Sequence, residues 1–199
     1  MYKDITGAIL AGGKNSRFDG IIKSKLHVHG VPVISRIIDV FKGLFDDIII
    51  VTNDPGEYLQ FDGCRIERDI FMNIGPLGGI HAALKASSGK SVFVTAGDMP
   101  FPDRSIIVRL IKNFLGKNAE VTVPLLNGRL ETLHAVYNAS LLNKIEQYIK
   151  ESPGHSLRNL IRGLNTDIVT LENCSENLTA MTNLNSPYDL KLLNTWRSE

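Results

Sequence analysis

Two groups of residues in this sequence could do chemistry together. The first is the glycine pair Gly12-Gly13, followed closely by Lys14, Arg17, Lys23 and Lys25. Glycines let a backbone approach a ligand, and the cations behind them suit a ligand that carries phosphates. The second is Asp98, in the run Ala96-Gly97-Asp98-Met99-Pro100. A single carboxylate can hold Mg2+, because that ion takes one or two protein carboxylates and completes its shell with phosphates and water. Phosphoryl or nucleotidyl transfer leaves the protein mainly positioning and charge stabilisation to supply. Plainer readings exist for each residue alone. Asp98 would serve equally well as a helix N-cap after a strand, and Arg17 and Lys23 singly would be solvated surface charges. Taken together with the glycines, the cations favour phosphate.

Periodicity shows which elements must position these residues. Ala8-Ile9-Leu10-Ala11 is an apolar strand that breaks at the glycines. Pro32 is expected to open a helix with Ile34, Ile37, Ile38, Phe41 and Phe45 as its buried stripe. The β-branched run in residues 47–54 has the composition of a strand buried on both faces, and residues 64–69 form a short strand. Gly75-Pro76-Leu77-Gly78-Gly79-Ile80 leads into a helix. Its glycines either free the first amides for a ligand or let the helix pack close, and both readings stand. Residues 91–96 form a strand that leaves Asp98 at its C-terminal end, where open α/β sheets hold ligands. Pro100 and Pro102 bar its continuation, and Ile106, Ile107, Leu110, Ile111 and Phe114 mark the next helix.

The second half is less regular. Residues 119–125 and 132–137 read as strands around the turn pair Asn127-Gly128. Helices are expected over 140–150 and 156–162, a strand over 167–171, and a last helix opened by Ser186-Pro187-Tyr188-Asp189. That helix would bury Leu190, Leu193 and Trp196. Alternating strands and helices argue for an α/β protein with a parallel sheet.

Composition narrows the class. The 199 residues suffice for one core, and no repeat or linker divides them, so one domain over 1–199 is expected. A net charge of +1 gives no electrostatic basis for binding nucleic acid or an anionic membrane. Cys64 and Cys174 lie far apart in no CxxC pattern, which fits a reduced cytoplasmic setting. Neither a signal peptide nor a run of transmembrane length is seen. His27 and His29 would share a strand face at metal-ligand spacing, but no third ligand stands nearby, so they read as surface histidines. The GxGxxG fingerprint is absent. Gly89-Lys90-Ser91 is no Walker A motif, because it precedes a strand and Leu84 stands where its first glycine belongs.

What remains resembles a family. Leu10-Ala11-Gly12-Gly13-Lys14-Asn15-Ser16-Arg17-Phe18 with Lys23 is similar to the LAGGxSxRMGxDK loop of the molybdenum cofactor guanylyltransferases. The likeness continues, in order, through residues 75–80 (GPLxGI), 97–101 (xDxPF), His134-Ala135-Val136-Tyr137, Ser156-Leu157-Arg158 and residues 183–190 (NxNTPEDL). It implies a three-layer α/β/α, Rossmann-like, mostly parallel sheet. It also implies Mg2+-dependent transfer of GMP from GTP to molybdopterin-bound molybdenum, with release of pyrophosphate. Leu10, Ala11, Gly12, Gly13, Asn53 and Asp69 would then contact the nucleotide. Lys23 and Arg17 would stabilise phosphate charge, and Asp98 would bind nucleotide and metal. Gly78, Asn183 and Asn185 would lie on the acceptor side, with the nucleotide half near 1–100 and the acceptor half near 101–199. Transient contact with molybdoenzymes or their chaperones is implied as well. A cytidylyltransferase for the same pterin, a sugar-phosphate nucleotidyltransferase and a non-catalytic GTP- or pterin-binding protein are the alternatives. Three positions depart from the motif: Asn15 replaces a small Ser, Asp19 a Gly, and Ile22 the Asp before Lys23.

Overall fold

The computed structural model of the chain describes residues 1–12, 22–152 and 154–195. From the N-terminus the elements are β1 (Ile5–Leu10), a hairpin of β2 (His27–Val28) and β3 (Val31–Pro32), and α1 (Val33–Lys42). Next come β4 (Ile48–Val51), β5 (Arg65–Glu67), α2 (Pro76–Ala86), β6 (Ser91–Ala96) and α3 (Arg104–Gly116). The second half adds β7 (Val121–Leu126), β8 (Arg129–Leu130), β9 (His134–Asn138), α4 (Leu142–Glu151) and α5 (Leu157–Arg162). It ends with β10 (Thr166–Thr170), α6 (Ser175–Ala180) and α7 (Pro187–Thr195).

Strand order in the main sheet is β5-β4-β1-β6-β9-β7-β10, with β8 paired to β7. β1 runs parallel to both β4 and β6, and β10 runs parallel to β7. β9 lies antiparallel between β6 and β7, so the sheet is mostly rather than wholly parallel. The chain works outward from β1 to β5 and then returns past β1 to lay down β6. That reversal is the topological switch point at which open α/β sheets bind ligands.

Both faces of the sheet are covered, which explains the unbroken apolar runs in its strands. Ile5, Ile9, Ile50 and Phe93 pack with α1 and α3 on one side. Ala8, Ile49, Val92 and Val94 pack with α2, α4 and α5 on the other. A three-layer α/β/α architecture results. Under α1, Phe41 and Phe45 meet edge to face at 4.9 Å, and Phe45 stacks on Phe93 at 5.9 Å. Gly7 of β1 lies beneath them, and a methyl group there would come within 2.5 Å of the Phe45 ring.

Several boundaries differ from those expected. Pro32 does not begin the helix; it ends β3, opposite His27, and α1 starts at Val33. The left-handed backbone of His29 and Gly30 closes that hairpin, so His27 and His29 do not share a strand face. His29 instead binds α7, its N–H donating to Asn194 Oδ1 at 2.8 Å while Nε2 lies 2.8 Å from the Leu193 carbonyl. Asn127-Gly128 makes the expected turn, but its partner strand β8 is only two residues long. The His134 N–H donates to the Glu131 carbonyl at 3.1 Å, so residues 131–134 turn and the next strand begins at His134 rather than Thr132. α6 went unread because it is six residues long and buries only Ala180. Trp196 lies outside the described residues.

At the N-terminal edge of the sheet, away from the switch point, Asp47 gathers β1, β5 and the approach to β6. It accepts from Arg65 Nε and Nη2 at 2.9 Å each, and from Thr6 Oγ1 and Ser88 Oγ at 2.8 Å each. Burial pushes this carboxyl up, but the bonds from Arg65, Ser88 and Thr6 outweigh burial and hold its pKa at about 2. The folded value lies below the unfolded one, so this stabilisation is complete above about pH 4 and is lost as pH falls toward 2. In urea denaturation, the stability gap between wild type and Asp47→Asn should therefore shrink by about 2 kcal/mol on acidification through that window. Gly7→Ala, which overpacks the phenylalanine cluster, should cost about 1–3 kcal/mol in the same assay.

Candidate active site

Where β1 and β6 end side by side, the chain opens a cleft of about 520 Å³. Leu10, Ala11, Gly12, Lys23, Asn53, Asp69 and Asp98 all line it. Residues from five separate stretches thus converge on one wall-to-wall space. Gly13 and Arg17 lie outside the described residues, as do Asn15 and Asp19.

The two strand ends approach so closely that any side chain at Gly97 would be crowded. Gly97 N–H donates to the Leu10 carbonyl at 2.9 Å. A methyl on Gly97 would lie 3.0 Å from that oxygen and 3.2 Å from Ala11 Cα. Gly12 is different, because a methyl there would meet nothing within 4 Å among the described residues. Among the described residues, packing bears on Gly97 and not on Gly12, which lines the cleft.

Across the strand ends, Lys23 Nζ donates to Asp98 Oδ2 at 3.1 Å. The two side chains are 22% and 23% exposed, so the pair is half sheltered yet open to the cleft. Asp98 does not cap α3; Asp103 does, accepting from the N–H groups of Ser105 and Ile106. The helix-cap reading of Asp98 is thereby removed. Among the described residues no three His, Cys, Asp or Glu side chains form a ready-made metal cage. Asp98 offers one hard carboxylate group, which suits a metal that takes its remaining ligands from phosphates and water.

At the other end of the cleft, Asn53 and Asp69 hold each other at the ends of β4 and β5. Asn53 Nδ2 donates to Asp69 Oδ2 at 3.0 Å, and the Asp69 N–H donates to Asn53 Oδ1 at 3.4 Å. This fixes a carboxylate on the cleft wall, where it can accept from N–H or O–H groups of a ligand. The N-terminus of α2 also faces the cleft through Gly75, Pro76 and Gly79, presenting the positive end of a helix dipole. Gly75 needs its freedom because it caps α2 at φ 68°.

The comparisons with known proteins agree with this geometry. Residues 7–168 match the family model described as the MobA-like NTP transferase domain. The chain belongs to the MobA-like NTP transferase family. Within that family, a Desulfosudis oleivorans protein named molybdenum cofactor guanylyltransferase is 35% identical over 147 residues, covering 74% of this chain and 72% of its own. A Pyrococcus furiosus protein named "probable molybdenum cofactor guanylyltransferase" is 36% identical over 200 residues, covering 98% of this chain and 99% of its own. The fold recurs in the crystal structure of molybdopterin-guanine dinucleotide biosynthesis protein A from Archaeoglobus fulgidus. The TM-score is 0.80 at 24% identity, over 95% of this chain and 96% of that one. As a MobA-like transferase the chain is an enzyme of the nucleotidyltransferase class.

Some expected positions fall elsewhere. Gly78 does not line the cleft; a methyl there would sit 2.6 Å from the Phe71 carbonyl, so packing dictates this glycine and an acceptor contact does not follow. Asn183 and Asn185 do not line the cleft either, but between them the Leu184 N–H donates to the Asp98 carbonyl at 2.8 Å. Their loop therefore abuts the aspartate's backbone. Ile22, which replaces the motif's Asp, lines the cleft and packs on the core. His134 is buried beneath the cleft; burial pushes its imidazole down to about 4 against the opposing pull of Asp103, so it is neutral at neutral pH.

Of the glycines before α2 for which a ligand-facing and a packing reading were both open, Gly79 lines the cleft; Ser24 and Leu133 line it with no signal in the sequence. Sequence reasoning missed Tyr58, whose one signal was an aromatic residue in a polar, turn-rich stretch.

The two glycines make a contrasting test. Gly12→Ala should leave thermal stability nearly unchanged while weakening nucleotide binding about tenfold, read by calorimetry, because the methyl occupies ligand space. Gly97→Ala should instead lower the unfolding temperature, because the Leu10 carbonyl, Ala11 Cα and Ser24 Cβ would all have to give way to the methyl.

Proposed function

We propose that this protein transfers GMP from GTP to the terminal phosphate of molybdopterin-bound molybdenum cofactor and releases pyrophosphate. The observation that carries the reading is the meeting of Lys23 and Asp98 at 3.1 Å, on loops from two strand ends, in the cleft of a MobA-like transferase. The names of the relatives supply the nucleotide and the acceptor.

An oxygen of the acceptor phosphate attacks the α-phosphorus of GTP. A P–O bond forms there as the bond from that phosphorus to the bridging oxygen breaks, and pyrophosphate leaves with the electron pair. The attacking oxygen is already ionised near neutral pH, so no general base is needed. The protein's task is to align the two phosphates and offset the charge that builds between them. Leu10, Ala11 and Gly12, which line the cleft, present backbone to the nucleotide. Asn53 and Asp69 hold the nucleoside end. Lys23, with Arg17, stabilises charge on the departing pyrophosphate. Asp98 would hold a divalent cation, which we take to be Mg2+ and which would neutralise phosphate charge at the same place. The loop of Asn183 and Asn185 would border the acceptor. Its bond to the Asp98 carbonyl and the buried Oδ1 of Asn183, which has no partner among the described residues, support that assignment.

Pyrophosphate release measured with GTP, CTP and UTP, with and without molybdopterin, tests the reading. Turnover should require molybdopterin and favour GTP. Preference for CTP would make the chain a cytidylyltransferase, and tight GTP binding without turnover would make it a binding protein. Lys23→Ala and Asp98→Asn should each lower kcat by about 10²–10³-fold, as loss of one preorganised electrostatic contact does.

A further inference from the structure

Lys23 can act only if the segment that carries it is fixed, and residues 23–25 form just one short turn of 3-10 helix with no side-chain cap. Its backbone has two internal bonds, Lys25 N–H to the Ile22 carbonyl at 3.0 Å and Leu26 N–H to the Lys23 carbonyl at 3.1 Å. Something outside the turn must hold it, and two side-chain contacts reach it from residues 55–58. One joins Lys25 Nζ to Glu57 Oε2 at 2.6 Å, but those side chains are 35% and 48% exposed, and ion pairs so exposed contribute little. The other joins Ser24 Oγ to the Tyr58 hydroxyl at 2.7 Å, with Ser24 at 3% exposure and Tyr58 fully buried.

The Tyr58 hydroxyl has one proton. It is donated to the Ala11 carbonyl at 3.2 Å, so the 2.7 Å contact is Ser24 donating to the tyrosine oxygen. A single buried oxygen thus links the turn bearing Lys23 to the end of β1 that opens onto the cleft. Ser24 also lies close to Gly97, its Cβ being 3.3 Å from where a methyl on that glycine would stand. The series Ala11, Tyr58, Ser24, Gly97 thus ends at residues next in sequence to Lys23 and Asp98 and includes neither.

We infer that Tyr58 is a positioning residue: its hydroxyl, acting through Ser24, sets where the Lys23 ammonium stands in the cleft. This rests on the transfer activity proposed above. Tyr58→Phe keeps the ring and removes only the oxygen. It should lower kcat about 10–100-fold, the scale expected for a catalytic group shifted by up to an ångström, with KM for GTP within about twofold. Ser24→Ala should do the same, and the double variant should be no worse than the poorer single one. In a Lys23→Ala background, adding Tyr58→Phe should change kcat by less than about twofold, because the group it positions is gone. A merely structural tyrosine would cost activity equally in both backgrounds, and that result, or full kcat in Tyr58→Phe, would overturn the inference.

Hydrogen exchange gives a second readout that needs no turnover. The Lys25 and Leu26 amides should exchange at least about tenfold faster in Tyr58→Phe while those in the middle of α1 are unchanged; equal protection of Lys25 and Leu26 in both proteins would also overturn it. If the proposed reaction itself is wrong, the wild type shows no transfer at all, and the exchange experiment still decides the role of Tyr58.

Discussion

The Gly97 N–H reaches the Leu10 carbonyl at 2.9 Å, and a methyl at that point would crowd the Leu10 oxygen and Ala11 Cα at 3.0 and 3.2 Å. The cleft depends on this close approach. Just beyond it, Gly12 and Asp98 line one opening, and Lys23 and Ser24 line it too. A bulkier residue at 97 would move the aspartate away from the lysine before it touched any ligand. The constraint is therefore geometric first and electrostatic second: the backbones fix the distance, and the charges act across it.

Rigidity is supplied from elsewhere. Two buried faces of aliphatic and aromatic side chains hold the sheet, and Asp47 ties its N-terminal edge with charge-assisted hydrogen bonds to Arg65 and hydroxyl bonds to Thr6 and Ser88. Among the described residues, the buried polar bonds at the cleft end are those of Tyr58 with Ser24 and Ala11 and those of Thr95 with His134 and Met99. A sheet tied at one end and open at the other suits an enzyme that must admit two phosphate-bearing substrates and release two products. Paired side chains at the strand ends, Asn53 with Asp69 and Lys23 with Asp98, keep the open end polar but ordered.

Much of this was legible from residue types. The run Ile48-Ile49-Ile50-Val51 reads as a strand covered on both sides because period-two alternation is missing, and it is one. Gly12 and Asp98 at the ends of apolar runs mark strand termini, which is where the sheet gathers ligands. Other features depend on contacts that no local pattern encodes. Gly78 and Gly79 look alike in sequence, yet one abuts the Phe71 carbonyl and the other faces Leu10 and the cleft. His27 and His29 lose their shared face to a turn whose left-handed residues are visible only in three dimensions. Asp98 and Asp103 both precede α3, and only the backbone decides that Asp103 is the cap. Tyr58 works through partners 34 and 47 residues away, a separation at which periodicity carries no information.

The central claim is that Lys23 and Asp98, brought together from two strand ends, act as one unit on the transferring phosphate. A double-mutant cycle on molybdopterin-dependent pyrophosphate release from GTP tests it most directly. Groups that act as a unit are non-additive, so Lys23→Ala combined with Asp98→Asn should lower kcat about as far as the worse single change. Fully multiplicative losses, reaching about 10⁴–10⁶-fold, would show that the two residues act independently and would contradict the account.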